Sequence, residues 1–382
     1  MSAARARRIL FTVMPYEGEV RDRVTAKFYK NSAVKYMPLG VLSIGACVPE
    51  GYEFAVLDAA SRNLTLDETI AEIEAFAPDV LGLSVVTYRA WAMVQILERT
   101  SAPIKVVGGP HTKYNHEAIR RQGAHAVFVD DAEVTFPQWL ADGCPEGTFF
   151  GGSVELDSLP LPARNLLDLD DYRIEYNDDL LFRVGNLRLP MYSSKGCPFA
   201  CICRALVENE IDVDWSARGT IEVRESVVAE LAAAGCKRLH VGIESLDDET
   251  LIYFKKSSRF KHIQRFAELC NRYGITILGY FIIGAPTETE QYRRDLPKMI
   301  EDLGIRLPYF NLLTPLAETP YYFEQLANGN LDRDYWKEFC DGPVRDFEIP
   351  DSRPLDEELE LRAVIDSYVD HFKRFDMPVF VS

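Results

Sequence analysis

Short apolar runs recur along this chain, each followed by a stretch with helical spacing; Val80-Leu81-Gly82-Leu83-Ser84-Val85 is the plainest. A strand that is apolar on both faces has to be covered on both, which calls for parallel pairing with helical crossovers. The pattern confines the chain to an α/β architecture. Strands are expected at 9–14, 52–58, 80–85, 104–107 and 126–129, the last of this series. Helices are expected at 38–47, 65–76, 90–99 and 133–140, the second opened by Thr65-Leu66-Asp67-Glu68. This half reads as a doubly wound, Rossmann-like sheet, in which ligands sit at the carboxyl ends of the strands. No G-x-G-x-x-G or P-loop is present, so neither a dinucleotide nor a P-loop nucleotide site is expected.

A second series begins further on, with strands at 187–194, 213–218, 238–244, 275–284 and 309–316 and helices between them. Repeated strand and helix in this order implies a partial parallel barrel that works at its strands' carboxyl ends. The expected divisions are a first domain at 1–144, a linker with Pro160 and Pro162 at 145–186, a barrel at 187–325, and a C-terminal helical extension at 326–382. The net charge of −17 disfavours nucleic acid as a partner. The basic run Arg5-Ala6-Arg7-Arg8 reads as a solvated tail. No apolar run is long enough to span a bilayer, and the N-terminus lacks a signal-peptide core. The eight cysteines form one cluster and five scattered singles, which suits a reducing compartment. A cytoplasmic protein without membrane partners is the expectation.

The cluster is Cys197, Cys201 and Cys203, directly after a strand-like run. Thiolates this close in sequence are suited to one metal or iron–sulfur cluster. The stretch Gly196-Cys197-Pro198-Phe199-Ala200-Cys201, with His240 to Ser245 and Gly279 to Glu288, resembles the radical S-adenosylmethionine (SAM) superfamily. Residues 78–85, 106–111 and 127–136 are similar to the cobalamin-binding domain found in one branch of it.

The resemblance implies a partial (β/α)6 radical SAM barrel after the Rossmann-like domain. It further implies a 4Fe-4S cluster on Cys197, Cys201 and Cys203 whose open iron chelates SAM, and reductive cleavage of SAM to a 5′-deoxyadenosyl radical. Ser216, Arg218 and Glu244 would then meet SAM, with Ile282 and Gly284 along its adenine. Cobalamin would lie on Ser84, Thr87, Tyr88, Gly108, Gly109, Pro110, His111 and Glu133. Tyr88, Arg89 or Trp91 would cover its lower face, because no D-x-H-x-x-G motif supplies an imidazole to cobalt. The implied activity is methyl transfer to an unactivated carbon of a small-molecule substrate, fed by a reductant such as flavodoxin or ferredoxin. Cyclisation or rearrangement without methyl transfer is one alternative; a cluster-less cobalamin sensor or carrier is another. The resemblance assigns no catalytic side chain.

Three departures stand out. The superfamily spacing is C-x-x-x-C-x-x-C with an aromatic before the third Cys, whereas here Arg204 occupies that place and Cys203 comes one residue early. Only ten residues, Cys203 to Asp212, then precede the next strand, where the family has a longer interval with a strand of its own. The expectation is that one strand–helix segment is missing after Ile202, through a gap in the sequence as read or a deletion in the gene. In the first domain, Asp131 and Ala132 stand where the family commonly has glycine.

Overall fold

The computed structural model describes residues 8–23, 36–152, 154, 158–172, 190, 203 and 206–373. The chain divides into two compact units. The first comprises Met1–Tyr176, Asn186–Lys195 and Pro315–Ser352; the second comprises Asn177–Gly185, Gly196–Thr314 and Arg353–Ser382.

The first unit begins with β1 (Arg8–Val13), the short β2 (Val20–Asp22) and α1 (Leu39–Cys47). It continues through β3 (Glu53–Asp58), α2 (Leu66–Phe76), β4 (Val80–Ser84), α3 (Ala90–Arg99) and β5 (Ile104–Gly108). It then runs through α4 (Thr112–Arg121), β6 (Ala126–Val129), α5 (Thr135–Ala141) and β7 (Gly147–Phe150). The sheet order is β3-β1-β4-β5-β6-β7, with every pair parallel. One face buries Leu10, Leu81, Leu83 and Val107 beneath α3, and the other buries Ile9, Phe11, Val80 and Val106 against Phe136 and Trp139. Thr65 caps α2 as its sequence implies: its hydroxyl accepts from the Glu68 N–H at 3.2 Å while the Glu68 carboxylate accepts from the Thr65 N–H at 2.9 Å.

The sequence reading stops this sheet one strand early. Gly147–Phe150, in the stretch read as linker, pairs with β6 in register Val127↔Thr148. That stretch is also tied down at Tyr172, which is 1% exposed and donates its phenol to Asp58 Oδ2 at 2.7 Å. Asp58 is itself buried and accepts from the Ser61 N–H through its other oxygen. Tyr172→Phe is therefore expected to leave a carboxylate oxygen underpaired and to cost about 1–3 kcal/mol, read as a lower denaturant midpoint.

In the second unit β8 (Trp215–Gly219), α6 (Glu225–Ala233), β9 (Cys236–Glu244), α7 (Asp248–Tyr253) and α8 (Phe260–Arg272) come first. They are followed by β10 (Thr276–Ile283), α9 (Glu290–Asp302) and β11 (Leu307–Leu312). The order is β11-β10-β9-β8, again parallel throughout. The strand expected at 187–194 lies outside the described residues except for Pro190, and so does Ile202, after which a segment was expected to be missing. Among the described residues β8 pairs only with β9, which makes it an edge of this sheet.

From Pro315 the chain belongs to the first unit again, through α10 (Pro320–Ala327), α11 (Tyr335–Cys340) and β12 (Phe347–Ile349), which pairs with β2. Tyr322, Trp336, Phe339 and Phe347 make an aromatic core with Val20, Ala90 and the partly buried Tyr88 and Trp91. The final helix, α12 (Leu355–Lys373), packs Leu361, Ile365, Tyr368 and Phe372 into the second unit's core.

Candidate functional site

In the first unit β1 lies between β3 and β4, so the chain reverses its direction of winding there, and the carboxyl ends of the strands form the expected ligand crevice. The ends of β4 and β5 are laced together: the Val85 N–H donates to the Gly108 carbonyl at 2.9 Å, and the His111 N–H to the Val85 carbonyl at 3.1 Å. Gly109, at φ +97°, makes this turn possible, because a Cβ there would stand 2.7 Å from the Val85 carbonyl oxygen. Gly108 differs. A Cβ added to it would meet nothing nearer than 3.9 Å, so its missing side chain leaves room at the sheet edge.

His111 is 1% exposed, and burial lowers its pKa to about 4, so its ring is neutral. Its Nδ1 lies 3.2 Å from Thr87 Oγ1 and 3.4 Å from Asn115 Nδ2. Ser84 and Thr87 are half-buried, Pro110 is exposed, and Glu133 is buried. Three residues that sequence reasoning did not single out complete this edge. Val86, Val134 and Phe150 are exposed at 38%, 57% and 62%; Val86 follows β4 by two residues, Val134 follows β6 by five at the start of α5, and Phe150 ends β7. Together with Pro110 they give successive strand ends an apolar rim, which suits a large, flat, partly apolar ligand such as a corrin. The only sequence signal was an apolar residue just past each strand, and such residues are common.

The side chains expected beneath the corrin are already engaged. Tyr88 packs edge-to-face on Trp336 with ring centroids 5.4 Å apart. Arg89 donates to the Met14 carbonyl at 2.7 Å and lies over the Tyr16 ring at 3.9 Å. Burial holds its guanidinium pKa below the usual value. Arg345 lies 5.5 Å from the Trp91 ring.

In the second unit alternate residues separate two faces. Ala217, Leu239, Val241, Ile243, Phe281 and Phe310 are buried among the helices. Ser216 and Arg218 on β8 are exposed, and His240, Tyr280, Ile282, Tyr309 and Asn311 are only half-buried. Sequence reasoning passed over the His240–Tyr280–Tyr309 row. His240 Nδ1 lies 3.2 Å from the Tyr280 hydroxyl, and the Tyr280 and Tyr309 rings meet edge-on at 5.5 Å.

At the carboxyl end Glu244 adopts φ +66° and pairs with Lys256 Nζ at 3.0 Å. It does not cap the following helix; Asp247 does, accepting from the Thr250 N–H at 2.7 Å. The Gly284 turn is fixed by the fully buried Glu288 carboxylate, which accepts from the Gly284 N–H at 2.9 Å and whose pKa burial raises.

Cys197 and Cys201 lie outside the described residues. Cys203 does not lie at the carboxyl edge. It is 1% exposed within the helix-covered core, beside Cys236, the first residue of β9. Burial raises its thiol pKa to about 11. Glu244 ends the same strand, roughly 26 Å away at about 3.3 Å per residue. A thiol placed there does not fit a cluster held at the opposite edge. Among the described residues no set of three or more His, Cys, Asp or Glu side chains is arranged to hold a metal, and no helix is long and apolar enough to cross a membrane.

Comparison with known proteins agrees with this two-part layout. A family model described as a B12 binding domain matches residues 29–140, and one described as the radical SAM superfamily matches residues 196–300. An uncharacterised methyltransferase of Pyrococcus horikoshii is 22% identical over 79% of this chain and 81% of its own length. The bacteriochlorophyllide d C-8(2)-methyltransferase of Chlorobaculum tepidum is 25% identical over 68% of this chain and 71% of its own. Among solved structures, the radical SAM methyltransferase TsrM of Kitasatospora setae, with cobalamin and a [4Fe-4S] cluster bound, shares the fold. Its TM-score is 0.55 at 15% identity, over 85% of this chain and 75% of that one.

Proposed function

Since this chain belongs to the cobalamin-binding radical SAM enzymes, we propose that it transfers a methyl group to an unactivated carbon of a small-molecule substrate. The observation that carries the reading is the carboxyl edge of the first sheet, where the space left at Gly108 adjoins an apolar rim and a neutral, buried His111. Cobalamin bound there would supply a cobalt centre able to carry a methyl group. The names of the two methyltransferases that match across both domains support the transfer, and the carbon specificity named for the Chlorobaculum enzyme supports carbon as the acceptor.

The chain's own residues divide the work. Ser84 and Thr87 would hydrogen-bond the corrin's amide fringe, while Gly108 and Gly109 let the backbone approach it closely. In the second unit Arg218 is the natural partner for the SAM carboxylate, being permanently charged and fork-shaped. Ser216 sits two residues before it on the same face. Ile282 and the Gly284 turn, braced by Glu288, would line the adenine. Lys256 holds the Glu244 carboxylate in place. Cys203, buried beside Cys236, is poorly placed to be the third ligand of an iron–sulfur cluster. Cys203's position favours a second reading, a cobalamin-binding protein that has lost its cluster.

Anaerobic incubation with SAM, hydroxocobalamin and reductant tests both. The methyltransferase reading expects 5′-deoxyadenosine together with S-adenosylhomocysteine. Deoxyadenosine alone would point to cyclisation or rearrangement. Neither product, with cobalamin bound and iron absent after reconstitution, would establish the carrier.

A further inference from the structure

Glu318 reaches the carboxyl edge of the first sheet from a segment some two hundred residues further along the chain. The segment is firmly anchored there. Leu316 and Ala317 pack beside Tyr88 and Trp91, the Trp336 indole donates to the Pro315 carbonyl at 3.3 Å, and the Thr319 hydroxyl donates to the Leu316 carbonyl at 2.7 Å. Glu318 itself adopts φ +63°, a conformation that a non-glycine residue keeps only when its surroundings enforce it. Its side chain is about a fifth exposed, and Oε1 accepts a hydrogen bond from Asn115 Nδ2.

This contact fixes everything behind it. A carboxylate can only accept, so the Asn115 amide must turn its NH2 toward Glu318. The same nitrogen lies 3.4 Å from His111 Nδ1 and 3.4 Å from the His111 carbonyl. An NH2 group facing Nδ1, with the Thr87 hydroxyl 3.2 Å away and able to donate, favours Nδ1 as the unprotonated, accepting nitrogen of the ring. Glu318 Oε1 is itself 4.0 Å from Nδ1, too far to take a proton from it in a hydrogen bond. The proton of the neutral ring is left on Nε2.

We propose that Glu318 is a positioning residue that, through Asn115, locks His111 in its Nε2–H tautomer, so that His111 donates a hydrogen bond to an amide carbonyl of the bound corrin and offers cobalt no lone pair. The corrin as acceptor rests on the function proposed above; the tautomer lock does not.

The tautomer is read in the cofactor-free protein by nitrogen-15 NMR of labelled histidine, with the His111 signals among the six histidines identified by their loss in His111→Gln. The wild type is expected to show His111 as the Nε2–H form alone. Glu318→Ala should give a mixture of tautomers, and Glu318→Gln, whose side-chain carbonyl still accepts from Asn115, should restore the single form. Hydroxocobalamin binding, followed by its absorbance, should weaken by about three- to tenfold in Glu318→Ala and much less in Glu318→Gln. The EPR spectrum of bound cob(II)alamin should show no imidazole-nitrogen splitting that disappears in His111→Gln. A wild-type proton on Nδ1, or an unchanged tautomer in Glu318→Ala, overturns the lock and leaves the cobalamin reading standing. The expected tautomers with no hydroxocobalamin uptake by the wild type would instead overturn the corrin as acceptor and the reading it rests on.

Discussion

Iron and sulfide bound after anaerobic reconstitution should fall to near zero in Cys197→Ala and in Cys201→Ala, and stay at the wild-type level in Cys203→Ala. In sequence the three thiols look equivalent, lying within seven residues. In the fold Cys203 is 1% exposed in the second unit's core beside Cys236, at the amino end of β9. Leaving that core to ligate iron would expose apolar surface and cost the packing of Cys203, while a buried thiol with a raised pKa resists forming the thiolate that iron requires. Cys203→Ala should instead behave as a small core truncation, with a stability loss of about 1 kcal/mol and no change in iron. Iron analysis with absorbance near 400 nm separates the outcomes. Loss of iron in Cys203→Ala alone would show that the thiol leaves the core to bind the cluster.

The largest expected loss of stability comes from Gly151→Ala. The Gly151 N–H donates to the Val129 carbonyl at 2.8 Å, which carries the β6–β7 pairing one residue past the strand. A Cβ at this position would stand 1.7 Å from the Asp131 carbonyl oxygen, 2.6 Å from its carbon and 2.8 Å from the Asp131 nitrogen. These are backbone atoms, which no rotamer change can move away. The 130–133 loop would have to shift, taking Glu133 with it. The cost should be at least about 3 kcal/mol, an overpacking penalty at the upper end of its usual range. That corresponds to a melting temperature lower by roughly 6–12 °C for a unit of this size. Cobalamin binding should weaken by more than about tenfold, since the displaced loop carries Glu133 and leads directly into Val134 of the rim. Gly152→Ala is the control: nothing lies within 4 Å of its Cβ position, and it should melt and bind like the wild type.

The strands were largely legible because they are buried on both faces, and β1, β3, β4, β5 and β6 fall within a residue or two of where their apolar runs place them. The elements that were missed lack that signal. In α4, Thr112-Lys113-Tyr114-Asn115-His116-Glu117-Ala118-Ile119-Arg120-Arg121, only Thr112 and Ile119 are buried, so no apolar stripe announces it. The four residues of β7 follow Pro145 and pair along one strand only. The carboxyl-edge glycines and His111 were legible as a motif, whereas their dependence on Asn115 and Glu318 was not, since local spacing carries no trace of a contact across 203 positions. Cys203 differs in another way: its closeness to the other two thiols in sequence suggested a shared ligand set, and nothing local announces its burial beside Cys236.

The order in which the chain builds its two bodies also bears on how they can be studied. Residues 315–352 complete the first body and residues 353–382 the second, after the first has already been left once. Neither is therefore a module that a single cut releases. A fragment ending at Tyr176 would strip the aromatic cover from Val20, Tyr88 and Trp91 and take away Glu318, so its failure to hold cobalamin would report on the scissors and not on the protein.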